Sequence, residues 1–86
     1  MGKVVIISFA NFFLKTEERS FVVANDLPRN DTGEFVLTTL FTDAASDSFS
    51  DSRCCAYIGS GQTRLQIHEF SPNVGKYGNI VYFTND

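Results

Sequence analysis

Three aspartates recur at every fourth position in the middle of this 86-residue chain, at Asp43, Asp47 and Asp51, with no basic residue between them. In a helix this spacing puts the three carboxylates on one face, about 6 Å apart along the axis, close to the phosphate spacing of one nucleic-acid strand. Such a negative stripe could dock on a basic surface of a partner protein. The alternative is a solvated segment that keeps the domain soluble.

The same segment alternates oxygen-bearing side chains from Asp47 to Asp51, as calcium-binding loops do. It lacks the glycine and the terminal glutamate of such loops, so we expect no metal site there. The glycine-rich turn 59–61 precedes a predicted strand, whereas a phosphate-binding loop would precede a helix. The sequence therefore predicts no metal and no other cofactor.

Cys54 and Cys55 are neighbours in the chain and cannot close an ordinary disulfide without distorting the backbone. In a strand they point to opposite faces, so we expect two reduced thiols, one of them in the core. The single histidine, His68, is expected on the polar side of its strand. No triad of nucleophile, base and acid can be assembled around it, and the sequence predicts that the protein is not an enzyme.

Seven Lys and Arg residues against ten Asp and Glu residues give a formal net charge of −3. Nucleic-acid binding needs clustered cations, so this balance disfavours it. Hydrophobic residues make up 43% of the chain, which supplies the core of a single small domain over residues 1–86. The apolar start is too short to cross a membrane and lacks a signal-peptide cleavage pattern, so we expect a cytoplasmic protein with no membrane partner.

Six apolar runs separated by turn residues predict β-strands at 4–9, 20–24, 34–42, 54–58, 64–70 and 79–84. Residues 10–19 are compatible with strand or helix, and we expect one long bent strand that turns at 16–18. The acidic segment is expected to form a short helix. Residues 71–78 are expected to form a loop with Tyr77 at its tip, and most aromatic residues on alternating strand positions are expected in the core.

This order of elements predicts an all-β, mainly antiparallel domain. We expect a small five- or six-stranded Greek-key barrel of the oligonucleotide-binding (OB) type, with one short helix between strands 3 and 4. Closing the sheet hides its edges, which matters in so short a chain. A plain β-sandwich is the alternative.

Two short pieces, Met1–Ile6 and Gln66–His68 followed by Val74–Ile80, resemble the single-stranded-DNA-binding proteins of filamentous phages. The resemblance implies a five-stranded barrel that dimerises, with the glycine-flanked aromatic stacking on bases near the dimer contact. Tyr77 would take that role, with Lys76 beside it. The basic wing that follows the first strand in this family is replaced here by residues 15–19, which include two acids.

Two functions are compatible with these features. The first, favoured by charge, is a non-enzymatic acidic protein such as a phage-encoded inhibitor or regulator in the host cytoplasm. It would act as a DNA mimic on a basic, nucleic-acid-binding surface of a protein partner, through Asp43, Asp47, Asp51 and Tyr77. The alternative is an OB-like barrel that binds single-stranded DNA or RNA through Tyr77, Lys76, Arg64 and Lys3. A homodimer is compatible with both.

Overall fold

The computed structural model describes residues 2–41, 54–70 and 75–86, and these ranges are all-β. The strands are β1 (Lys3–Phe12), β2 (Phe21–Ala24), β3 (Val36–Thr39), β4 (Cys55–Ile58), β5 (Leu65–His68) and β6 (Lys76–Thr84). Every pairing between them is antiparallel, which confirms the predicted class.

The predicted short helix falls on residues 42–53 and lies outside the described ranges. Within those ranges, no helix has the length and hydrophobicity needed to span a lipid bilayer.

The six strands form two sheets, one of β1 and β6 and one in the order β2, β5, β4, β3. A bridge between Phe41 and Tyr77 connects β6 to the end of the β3 segment. The strands therefore follow one another in the order β1, β6, β3, β4, β5, β2. No pairing of β1 with β2 is found in the described ranges, and a cavity of about 330 Å³ lined by apolar residues of both strands lies between them.

Residues 10–19 continue the first strand only as far as Phe12 and then run irregularly, without a helix. A bulge between Phe9 and Phe12 puts Asn11 at φ +54°, a conformation that asparagine tolerates better than most residues. Without the bulge, Phe9 and Phe12 would point to opposite faces. With it, their rings meet edge-to-face at 5.4 Å on the core side. The predicted strand is confirmed to Phe12, and the predicted turn at 16–18 comes after the strand has ended.

The core lies between the inner faces of the two sheets and is centred on Phe70, which is fully buried. Its ring contacts those of Phe12 and Phe21 edge-to-face at 5.8 and 5.3 Å, and so links β1 to β2. The buried hydrophobic residues are Phe9, Leu40, Cys54, Ala56, Ile58, Leu65, Ile67, Phe70, Ile80 and Tyr82.

Asn30 anchors the connection between β2 and β3, and its side chain is buried. The amide group donates to three backbone carbonyls and its Oδ1 accepts from one backbone N–H. The partners are the carbonyls of Glu34, Ile58 and Gly59 and the N–H of Thr32. A buried amide is stable only when its polar groups are paired, and here they also fix the ends of β3 and β4.

Candidate functional site

Asp43, Asp47 and Asp51 lie outside the described residues, so only the attachment of their segment can be stated. The described chain stops at Phe41 and resumes at Cys54. The backbone N–H of Leu40 donates to the carbonyl of Cys54 at 2.8 Å. The segment that carries the three aspartates therefore leaves and rejoins the sheet at one place, the end of the β3–β4 hairpin.

An apolar surface covers the outer side of β3, β4 and the start of β6. Phe35, Leu37, Phe41 and Tyr77 are 62%, 50%, 43% and 37% exposed. Tyr57 joins them, because it lies directly opposite Leu37 and its neighbours along β4 are buried. We call these five residues the aromatic face. The prediction that strand aromatics lie in the core is wrong for Phe35 and Phe41, whereas Leu40, on the opposite side of the same strand, is fully buried.

A cavity of about 390 Å³ opens on the aromatic face. Phe35, Leu37 and Tyr57 form its apolar walls, and Cys55, Gly59 and His68 complete the lining. The hydroxyl of Tyr57 donates to the side-chain oxygen of Gln66 at 3.2 Å. Because the lining contains no Lys, Arg, Asp or Glu, the cavity fits an apolar or aromatic side chain better than a phosphate.

Cys55 and His68 lie directly opposite each other on β4 and β5. Burial raises the pKa of the Cys55 thiol, and the negative charge of Glu69 raises it further. Nucleophilic cysteines usually have a lowered pKa, and the direction of this shift is the opposite. The His68 Nδ1 lies 2.8 Å from the hydroxyl of Ser20 and its Nε2 lies 3.8 Å from a carboxylate oxygen of Glu69. Among the described residues, no group of three His, Cys, Asp or Glu side chains could hold a metal ion.

Tyr77 and Lys76 belong to β6, and the predicted loop tip at Tyr77 is wrong. Tyr77 and Phe41 exchange two backbone hydrogen bonds, of 2.8 and 2.9 Å. The following glycine permits a close approach of strands: a Cβ on Gly78 would lie 2.9 Å from a methyl carbon of Leu40. Lys76 is fully buried, with its Nζ 5.6 Å from the centre of the Phe70 ring. This burial counts against a phosphate contact by Lys76.

The basic residues proposed for nucleic-acid binding are not brought together. Lys3 pairs with Thr84 at one end of the β1–β6 ribbon and Lys76 pairs with Phe12 at the other, roughly 30 Å away along the strands. Arg64 precedes β5, which is not a neighbour of β1.

Two other cations, Arg19 and Arg29, are held in ion pairs. Arg19 contacts Glu69 at 3.2 Å, and Arg29 contacts Asp31 at 2.6 Å and Asp86 at 3.2 Å. Arg19 and Arg29 are therefore held by acids, whereas Arg64 is exposed and lies two residues before Gln66, which Tyr57 contacts.

Comparisons of the chain with protein-family models, with curated proteins and with solved structures found no match. The resemblance to phage single-stranded-DNA-binding proteins stays a prediction.

The aromatic face is thus assigned from its geometry alone. Its sequence signal was the run 35–41, which is apolar on both sides of a strand, a pattern typical of strands covered on both faces.

Proposed function

We propose that this chain is a non-enzymatic binding protein that docks on a partner protein through the aromatic face. The observation that carries the proposal is the outward projection of Phe35, Leu37 and Phe41 from one side of the segment 35–41 that contains β3. Outward positions of an antiparallel sheet are normally polar. A contiguous exposed patch of large apolar side chains on a small domain marks an interaction site, and aromatic residues dominate the energetics of protein interfaces.

The acidic segment specifies the chemistry of the partner. Asp43 follows Phe41 by two residues, so the negative run starts at the border of the aromatic face. A partner surface with basic residues around an apolar anchor would complement both features, and the cations would also accelerate association. The nucleic-acid-binding surface of another protein has this character, which supports the role of an inhibitor or regulator, encoded by a phage or another source, that mimics nucleic acid.

A second candidate function is single-strand binding, and one observation favours it. Phe35, Phe41, Tyr57 and Tyr77 lie on the outside of a sheet, where bases could stack on them, each stack contributing roughly 1–3 kcal/mol. We also propose that the six strands form an OB-type Greek-key barrel that is open between β1 and β2. The order of the strands is compatible with this architecture. Charge ranks this function second, because the net charge is −3 and Lys3, Arg64 and Lys76 are not brought together.

Fluorescence anisotropy of labelled oligo-dT at low salt separates the two functions. Protein docking predicts no rise in anisotropy at micromolar protein. A rise that disappears steeply with added salt would reverse the ranking, since phosphate contacts release counterions.

Affinity capture with matched variants tests the docking proposal itself. Leu37→Lys puts a charge in the aromatic face, and Asp47→Lys with Asp51→Lys reverses the acidic run. Val22→Lys makes the same kind of change on β2, at an exposed position on the same side of the sheet but three strands from Leu37, about 14 Å away, and not among the five residues of the aromatic face. We expect wild type and Val22→Lys to retain a partner protein. Leu37→Lys and the double aspartate variant should fail to retain it. Equal retention by all four proteins would contradict the proposal.

A further inference from the structure

β6 binds its two neighbours through alternate residues. The backbone groups of Tyr77 bind Phe41, and those of Phe83 bind the N–H of Asp31 and the hydroxyl of Thr32. Tyr77 and Phe83 therefore direct their N–H and carbonyl groups away from β1. Because these groups alternate between the two edges of a strand, the even-numbered residues of β6 from 78 to 84 direct theirs toward β1.

β1 has one edge bound to β6 and, in the described ranges, one free edge. The even-numbered residues of β6 lie opposite residues 3, 5, 7 and 9 of β1. The N–H and carbonyl groups of Val4, Ile6 and Ser8 consequently point to the other edge of β1. No described residue forms a hydrogen bond with them there. A row of donors and acceptors with the spacing of a β-ladder fits the main chain of a further extended segment.

The free edge of β1 opens on the apolar cavity of about 330 Å³ that separates it from β2. Four successive residues of β1, 7 to 10, line this cavity. Side chains alternate between the two faces of a strand, so four successive residues line a cavity only where it meets the edge of the strand. Val23 and Ala24 of β2 line the opposite wall, with Leu27 and Leu65 beside them. An extended segment bound to the free edge would therefore place alternate side chains in an apolar cavity.

The sequence of β1 lacks the usual protection of an edge strand. Natural edges often carry charged side chains or proline, which stop other chains from pairing with them. Residues 4–14 contain no charged residue and no proline. The bulge between Phe9 and Phe12 interrupts the strand only beyond Ser8. The edge from Val4 to Ser8 is therefore regular and open to pairing.

We infer that the free edge of β1 is a strand-addition site for an extended segment of a partner protein. The segment pairs through its main chain with Val4, Ile6 and Ser8. Main-chain bonds give affinity without sequence preference, so the cavity supplies the specificity. Its lining is apolar apart from Ser8, and it accepts apolar side chains at alternate positions of the segment. A small apolar molecule would fill the cavity but leave the backbone groups of β1 without partners.

Peptide titration followed by fluorescence anisotropy and by NMR of the backbone amides tests the inference. The probe is a labelled peptide with valine and threonine at alternate positions and lysine at both ends. Its matched control has the same sequence with N-methyl groups on the valines and threonines, which keeps the side chains and removes the N–H donors. We expect the probe to bind below about 1 mM and to shift the amide resonances of Val4, Ile6 and Ser8. The N-methylated peptide should not bind.

Two variants alter the site in different ways, and a third leaves it intact. Ser8→Pro removes one N–H from the free edge and keeps the bonds to β6, at a kind of position where an edge strand tolerates proline. Ala24→Trp fills the cavity from β2 and keeps the edge, so it carries the test if Ser8→Pro fails to fold. We expect both to bind the probe at least about ten-fold more weakly than wild type. Leu37→Lys, in the aromatic face, should bind it like wild type.

Several results would overturn the inference. The probe could fail to bind wild type below about 1 mM, or folded Ser8→Pro and Ala24→Trp could bind it as wild type does. Equal binding of the N-methylated peptide would identify the cavity as a pocket for apolar groups without strand pairing. Shifts of the β1 amides with rising protein concentration, in the absence of peptide, would place a second copy of the chain on the edge.

The strand-addition site goes beyond the proposed function and does not depend on it. β1 contributes no residue to the aromatic face, which belongs to β6 and to the segments that contain β3 and β4. Failure of the probe to bind would leave the aromatic-face proposal intact, because capture through Leu37 does not involve the free edge of β1.

Discussion

Phe41 and Tyr77 lie directly opposite each other and exchange two backbone hydrogen bonds, forming the bridge between the two sheets in the described chain. Their side chains both point outward into the aromatic face. The same pair therefore joins the two sheets through its main chain and belongs to the proposed docking surface through its side chains. These roles can be separated, because one depends on the main chain and the other on the side chains.

Tyr77→Pro and Tyr77→Ala separate the two roles. The proline removes the N–H that donates to Phe41, so it should lower the free energy of unfolding by about 1–3 kcal/mol. The alanine keeps both backbone bonds and removes an exposed ring, so its effect on stability should be within about 1 kcal/mol. Urea unfolding measures both, and partner capture should be reduced by the alanine. A Tyr77→Pro variant as stable as Tyr77→Ala would show that the bridge is dispensable.

Asn30→Ala should be the most damaging polar substitution among the described residues. It leaves the carbonyl of Ile58, which is buried, and the part-buried carbonyls of Glu34 and Gly59 and N–H of Thr32 without their partner, for an expected loss of roughly 2–4 kcal/mol in the free energy of unfolding. The control is Asn79→Ala, which changes an exposed asparagine in β6 and should alter stability by less than about 0.5 kcal/mol. Equal midpoints in urea for the two variants would contradict the anchoring role of Asn30.

The ion pair of Arg29 and Asp31 should make stability depend on acid pH. The hydrogen bond from Arg29 lowers the pKa of Asp31 below 3.8, and the backbone N–H of Asn85 lowers it further. A carboxyl with a lowered pKa in the folded state adds stability above its unfolded pKa and loses it as the pH falls through the folded pKa. Melting temperatures measured from pH 7 to pH 2 should fall less for Asp31→Asn than for wild type. If the melting temperatures of the two proteins fall equally with pH, Asp31 does not contribute to the acid dependence of stability.

Tyr82 should add a pH dependence at the alkaline end. Its hydroxyl donates to the carbonyl of Pro28 at 2.7 Å, and burial, then the charge of Asp86, raises its pKa above 10. A raised pKa on an acid favours the neutral folded form, so stability is present below pH 10 and lost as the pH rises through the folded pKa. Tyr82→Phe should cost about 1 kcal/mol at neutral pH and flatten the alkaline decline. A decline unchanged in Tyr82→Phe would show that another group causes it.

The adjacent cysteines report on occupancy of the aromatic-face cavity. Cys54 is buried, and Cys55 lines the cavity, so a maleimide should label one thiol in the native protein and two after unfolding. Labelling at Cys55 should be slow, because its raised pKa keeps the thiolate scarce. Native Cys55→Ser should take no label, and bound partner should protect wild type. Labelling of native Cys55→Ser at the wild-type rate would contradict this arrangement of the two thiols.

The sequence predicted the parts of the fold that depend on local pattern. All six strands lie where runs of β-branched and aromatic residues are separated by turn residues. The alternation of side chains between the two faces of a strand also predicted that one of the two cysteines is buried. The face of β3 that turns outward was not predictable, since Phe35 and Leu40 are both strongly apolar. Long-range pairings decide which side meets the core: those of Val36–Thr39 with β4 and that of Phe41 with Tyr77.

Two further residues show why β6 was predicted too short. Gly78 reads as a turn signal, but it serves here to let Leu40 approach the strand. Lys76 reads as a surface cation, but it is buried near Phe70. Both outcomes depend on contacts between distant parts of the chain, which residue type and spacing do not encode.

Titration calorimetry with the captured partner measures whether binding depends on the aromatic face. Wild type and Val22→Lys should bind with dissociation constants within about two-fold of each other, and Leu37→Lys should bind at least about ten-fold more weakly, a loss of roughly 1.4 kcal/mol. All three proteins should share the same urea midpoint to within about 0.5 kcal/mol in stability. Equal affinities for wild type and Leu37→Lys would contradict docking through the aromatic face.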